Sequence, residues 1–254
     1  MEESGSDVED VTVRKRPVRK YRNIPLYLRS PYWTKNKGSI HNATPKEKVV
    51  SNYAFLEASS EHPGGEILFK YGDYYLSRDG FATLCNGEIL SSFLDVWSLR
   101  FTLLNTSRAV GETKRVYFST LVHLQIDPKD QWMKDLPADI KRRNFNERLS
   151  YEISSFRNLD ISDADLIFFP IHRHDHYFLV CFNVKEHKVQ VMDNKELPAD
   201  VSEKDKYGNC PHLLIEAFSG YLKAECHSLY VKLQKVAIEY FKLDWANIEN
   251  VTDY

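Results

Sequence analysis

The chain has 254 residues, 43% of them hydrophobic and 13% aromatic, with a formal net charge of −2. That is ample apolar material for a packed core and far from a disordered composition. The near-neutral balance provides no global positive field for phosphates, so a nucleic-acid-coating role is not expected. The four cysteines, Cys85, Cys181, Cys210 and Cys226, show no CxxC spacing, and reduced thiols in the nucleus or cytoplasm are expected. No membrane span is expected, because the longest apolar run, Leu166–Ile171, is interrupted by Pro170. The acidic start, Met1–Asp10, does not read as a signal peptide.

Residues 1–22 switch from acidic to basic, and the run Arg14–Lys20 (RKRPVRK) reads either as a nuclear-import signal or as a solvated linker. Residues 1–65 are expected to form a charged, largely disordered lead-in, and 66–254 a folded domain. Asn86 is a plausible helix N-cap, followed by Ile89, Leu90, Phe93, Leu94, Trp97, Phe101 and Leu104 at helical spacing. Arg115–Ser119 reads as a short strand or the edge of a second helix, and Gln131–Tyr151 as exposed helical turns. Ala164–Ile171, Tyr177–Val184 and Val189–Met192 are apolar runs split by polar turns, and read as three adjacent buried strands. Glu186-His187-Lys188 is the turn between the last two, although it lacks the usual glycine. Pro211 suits a first helical turn; Leu213, Leu214, Ala217, Phe218, Tyr221 and Leu222 share one face, and helical spacing continues through Leu229, Leu233, Ala237 and Phe241.

His176 opens one expected strand and Asp193 closes the next. In an antiparallel hairpin those ends lie side by side, so the carboxylate can fix the imidazole tautomer and free the other ring nitrogen as a general base. The bland alternative is a polar pair satisfying the rim of the sheet. A second reading takes His172, His174 and His176 as three imidazoles on one face of an extended chain, with Asp175 adjacent, as in a zinc site. HRHDH is one residue short of the HxHxDH pattern of metallo-β-lactamase-like hydrolases and leads into a strand instead of a helix. No metal or other cofactor is therefore expected, and Gly64-Gly65 stands alone without a phosphate-binding pattern. Cys181 falls mid-strand, where it behaves as a small hydrophobe. Cys210 precedes Pro211 at a helix start, an electrostatic setting that favours a thiolate.

The segment Ala164–Asn194 (ADLIFFPIHRHDHYFLVCFNVKEHKVQVMDN) resembles the His/Asp core of the ubiquitin-like-protein-specific cysteine proteases, the SUMO-deconjugating and adenain-like group. It is especially similar to the plant branch associated with transposon-derived genes. The residues that carry the likeness are Phe169-Pro170-Ile171, His176-Tyr177-Phe178-Leu179 and Asp193-Asn194. Gly87–Trp97 resembles the family's upstream helix, with Ser91 and Ser92 where an acidic residue often stands.

The resemblance implies an α+β, papain-like fold, a small mixed sheet packed against helices. It implies hydrolysis of an isopeptide or peptide bond at the C-terminus of a ubiquitin-like modifier such as SUMO. His176 would be the base and Asp193 its orienting partner, with Tyr177 and Trp97 toward the substrate. The family's nucleophile segment, Q-x-N-x-x-D-C-G, aligns with the last residues of the chain so as to place Ile248 at the glutamine and Tyr254 at the cysteine. Two expectations follow: a cysteine-type peptidase that is inactive or C-terminally incomplete as written, or a pseudo-protease that binds a ubiquitin-like protein without turnover.

Overall fold

The computed structural model describes residues 44–241 except 57, 86–88, 107–110, 129–130, 158, 174–175, 195–196, 198–200 and 226–227. Helix α1 (Pro45–Ala54), inside the stretch expected as lead-in, precedes a hairpin of β1 (Ile67–Tyr71) and β2 (Tyr74–Ser77). The buried Arg78 joins these pieces: its guanidinium donates to Glu66 Oε2 at 2.6 Å and to the carbonyl of Tyr53. Helices α2 (Arg78–Cys85) and α3 (Ser91–Thr106) lead to the short strand β3 (Arg115–Tyr117). Then come α4 (Thr120–His123), α5 (Gln131–Lys134) and α6 (Ala138–Ser155).

The central sheet has five strands in the order β3-β4-β5-β6-β7. Strands β4 (Leu166–Arg173), β5 (His176–Asn183) and β6 (Lys188–Met192) form the antiparallel middle, where three buried strands were expected. β3 and β7 (Ala237–Phe241) flank them in parallel, so the sheet is mixed. Between β6 and β7 lie α7 (Glu203–Tyr207), α8 (Cys210–Ala224) and α9 (Ser228–Lys232). No helix among the described residues is long and apolar enough to cross a membrane.

Strand alternation sorts the sheet into two faces. Ile167, Phe169 and Ile171 of β4 pair in register with Phe182, Val180 and Phe178 of β5, and Val180 pairs with Val191 of β6. These residues form the main core with Leu214, Phe218 and Leu222 of α8 and Phe145 and Leu149 of α6. Arg173 pairs with His176, and Asp193 lies two residues beyond Val191, so all three fall on this core face at its rim. Tyr117 and Phe168 stack on the opposite face with centroids 4.6 Å apart, beside α3.

Three expectations need correction. α3 begins at Ser91, five residues past Asn86, and its buried stripe is Phe93, Asp95, Ser98, Leu99, Thr102 and Asn105. The expected apolar stripe instead leaves Ile89, Leu90, Trp97 and Leu104 exposed. Tertiary hydrogen bonds explain the rotation: Asp95 accepts from Thr120 N at 2.7 Å, and Thr102 Oγ1 donates to the Tyr117 carbonyl at 2.9 Å. Polar residues with such partners can face inward. Ala237–Phe241, expected as helix, is instead a strand, because pairing with β6 bonds one side of its backbone and suits a β-branched and aromatic run. The hairpin after β5 turns as expected without glycine, since His187 takes a left-handed φ of 52° and Asn183 Oδ1 accepts from the amide of Glu186.

Candidate active site

His176 Nε2 lies 2.7 Å from Asp193 Oδ1. A carboxylate only accepts, so Nε2 carries the proton and Nδ1 presents its lone pair. Among the described residues no hydrogen bond falls on Nδ1. The imidazole is 19% exposed and the carboxylate 5%, an arrangement that buries the orienting acid and leaves the base at the surface.

The far oxygen of Asp193 is held from α7. Lys206 Nζ is 2.9 Å from Oδ2, and the Tyr207 hydroxyl donates to it at 3.2 Å. Burial, then the Asp193 charge, raises the Tyr207 hydroxyl above the usual phenol range. Tyr207 is wedged edge-on against Phe178 at 4.9 Å and stacked on Tyr240 at 5.5 Å. These partners were not singled out from the sequence, although Ser202 and Asp205 form a capping box that marks the start of α7.

Tyr177 lies on the other face. Its hydroxyl is 3.0 Å from Ser91 Oγ at the start of α3, and its ring stacks on His172 at 4.1 Å. Trp97 is 46% exposed further along α3. The zinc reading of HRHDH is overturned as drawn: His172 pairs with Tyr177 and Arg173 with His176, so the chain reverses instead of running on extended. His174 and Asp175 lie outside the described residues, as do Ile248 and Tyr254.

A second constellation borders the pair. Arg173 Nη1 donates to Asp127 Oδ2 at 3.0 Å and to Cys210 Sγ at 3.3 Å, while the Cys210 thiol donates to Asp127 Oδ2 at 2.8 Å. His123 Nε2 is 4.0 Å from the same carboxylate oxygen. His123, Asp127 and Cys210 could converge on a cation, but the Arg173 guanidinium already supplies positive charge to two of these donors. Cys210 does start α8, yet it is no thiolate. Burial and the neighbouring Asp127 push its thiol up to about 12, overriding the helix terminus. Cys181 is fully buried mid-strand, and burial raises it far above the ordinary thiol range. Neither thiol is an accessible nucleophile.

No family profile and no curated protein matches the chain. Among solved structures, the C-terminal Ulp1 protease domain in complex with Smt3, the yeast ortholog of SUMO, matches at 10% identity over 78% of this chain and 74% of that one, with a TM-score of 0.51. A Ulp1 SUMO protease with its catalytic cysteine oxidized to a sulfenic acid matches at 11% identity over 80% and 76%, with a TM-score of 0.49. A de-sumoylating protease matches at 12% identity over 69% and 63%, with a TM-score of 0.44. On the first of these the fold is settled: the chain is an α+β protein with the Ulp1 protease-domain fold.

Proposed function

We propose that this chain is a domain of the cysteine-type, ubiquitin-like-protein peptidase class, engaging the C-terminal tail of a SUMO-type modifier. The observation that carries the reading is the His176–Asp193 contact of 2.7 Å, made through Nε2 at the rim of a Ulp1-type sheet with Nδ1 left for a thiol. In the chemistry such a pair serves, Nδ1 takes the thiol proton and the thiolate sulfur attacks the carbonyl carbon of the isopeptide or peptide bond. The imidazolium returns the proton to the departing amine, and water then releases the acyl group from sulfur. Asp193 stays ionised throughout and stabilises the imidazolium. On the α3 side, Tyr177 and exposed Trp97 suit contact with the modifier or its tail.

A second reading, binding without turnover, is favoured by the state of Cys181 and Cys210, both buried and protonated. It agrees with the alignment that would put Ile248 and Tyr254 at the glutamine and cysteine positions of the family segment. A phenol is a poor acyl acceptor, and isoleucine cannot donate to an oxyanion.

One experiment separates these readings. The chain is incubated with SUMO and ubiquitin C-terminal vinyl-sulfone probes, and SUMO affinity is measured by calorimetry. A covalent adduct on cysteine, lost in His176→Ala, supports the peptidase. Saturable binding without an adduct supports the pseudo-protease. Neither adduct nor binding overturns both.

A further inference from the structure

We infer that Lys206 is a positioning and charge-setting residue for the His176–Asp193 pair, a role that rests on the reading of that pair as a base and its orienting acid. The geometry is a carboxylate shared between a lysine ammonium and the ring that becomes an imidazolium. Asp193 Oδ1 faces His176 Nε2 at 2.7 Å, and Oδ2 faces Lys206 Nζ at 2.9 Å with the Tyr207 hydroxyl at 3.2 Å. The carboxylate is 5% exposed and the lysine side chain 16%, so solvent screens the lysine charge only in part.

Two consequences follow. First, with both oxygens engaged from different elements, Asp193 cannot rotate about its side-chain bond without breaking a contact, so Oδ1 stays on Nε2 and the tautomer is fixed. Second, the ammonium weakens the carboxylate's hold on an imidazolium. It therefore opposes the positive charge that the ring takes on when Nδ1 accepts a proton.

Several other described groups near the pair direct their charge or their protons elsewhere. Arg173, paired with His176 in the β4–β5 register, is engaged with Asp127 and Cys210. Tyr207 and Tyr240 are phenols whose protons are held by burial, and Glu203 adds negative charge on the outer side of Tyr207. Among these groups, Lys206 is the cation within hydrogen-bond reach of Asp193. A purely structural lysine would act through anchoring α7 alone; a charge-setting one acts on the proton affinity of a ring it does not touch.

The test is an NMR titration of the ring nitrogens of His176 in the full chain, compared with Lys206→Met, Lys206→Arg and Tyr207→Phe, with thermal unfolding as the folding control. It needs no turnover. In Lys206→Met the titration midpoint should move up by about one pH unit, a roughly tenfold gain in proton affinity. Lys206→Arg should restore the parent midpoint, and Tyr207→Phe, which removes no charge, should move it less than Lys206→Met does. A midpoint that stays put or falls in Lys206→Met, in folded protein, overturns the inference while leaving the His–Asp pair intact. If the parent ring shows no Nε2–H tautomer, the pair itself is absent and the proposed function falls with it.

Discussion

Two histidines pack against the same strand pair, and their surroundings could hardly differ more. His176 opens β5 at the rim, gives one ring nitrogen to a buried carboxylate and has no hydrogen bond on the other among the described residues. His123 ends α4 under β4, is 1% exposed, and among the described residues has neither ring nitrogen bonded. Both stand beside an aspartate that a cation also contacts, Lys206 at Asp193 and Arg173 at Asp127. At Asp193 the histidine is within hydrogen-bond distance; at Asp127 that place is taken by the Cys210 thiol and the Arg173 guanidinium. The lesson is that residue type alone does not make a base. Proximity to the carboxylate and an accessible second nitrogen do, and sealing the ring away from water without a hydrogen bond converts the same side chain into a cost.

That difference should appear first in acid. Burial drives the His123 imidazole down to about 4 from its ordinary 6.5. The stability gained by keeping it neutral is full above pH 6.5 and is lost as pH falls through that value toward 4, up to about 3 kcal/mol. Asp95 has the opposite sign. Burial lifts it from 3.8 to about 6, so its contribution is full below 3.8 and is lost as pH rises through 6, by a similar amount. In the parent chain the two trends oppose each other between pH 4 and 6. Relative to the parent, His123→Leu should gain urea resistance on going from pH 7 to 5, and Asp95→Asn should lose it. Parallel pH curves for all three proteins would show that neither group is sealed as described.

The next largest effect tests the cation at Asp127. Asp127→Ala removes the acceptor of both Arg173 and the Cys210 thiol, leaving two polar groups short of a partner. It should cost about 2 kcal/mol in equilibrium unfolding, less than for a fully buried pair because Arg173 and Asp127 are each 28% exposed. The His176 tautomer should survive this change, because Asp193 keeps its own partners. Loss of that tautomer would mean that the two sites are one network.

Smaller still is Gly208→Ala, at the junction of α7 and α8 between the two sites. Gly208 has φ of +59°, and a Cβ there would lie 2.7 Å from Arg173 Nη2. The backbone strain and displaced guanidinium together should cost about 1 to 2 kcal/mol in urea unfolding. An unchanged midpoint would show that Arg173 is not seated over this glycine.

Much of the site was legible because it lies within one local hairpin. His176 and Asp193 are seventeen residues apart, and the alternating register of two short strands suffices to bring them together. The turn at His187 was readable from polarity even without glycine. Lys206 and Tyr207 were not foreseen, because what brings them to Asp193 is the path of the chain around the rim, and no periodicity records that. Cys210 is the sharpest case. Its place at a helix start argued for a thiolate; burial in the folded core, and then the arrival of Asp127 from far along the chain, reverse the sign.

The same division holds for the fold. Apolar runs of strand length determined β4, β5 and β6, and the amphipathic stripe after Pro211 determined α8, because a buried face needs continuous apolar sequence wherever it ends up. Which face of α3 is buried, and whether Ala237–Phe241 is helix or strand, was decided by tertiary structure alone. Inward polar groups such as Asp95 and Thr102 are tolerable only once Thr120 and Tyr117 arrive to bond them. The last segment becomes a strand because the open edge of β6 offers a parallel ladder to one side of its backbone, and that outweighs a helical spacing.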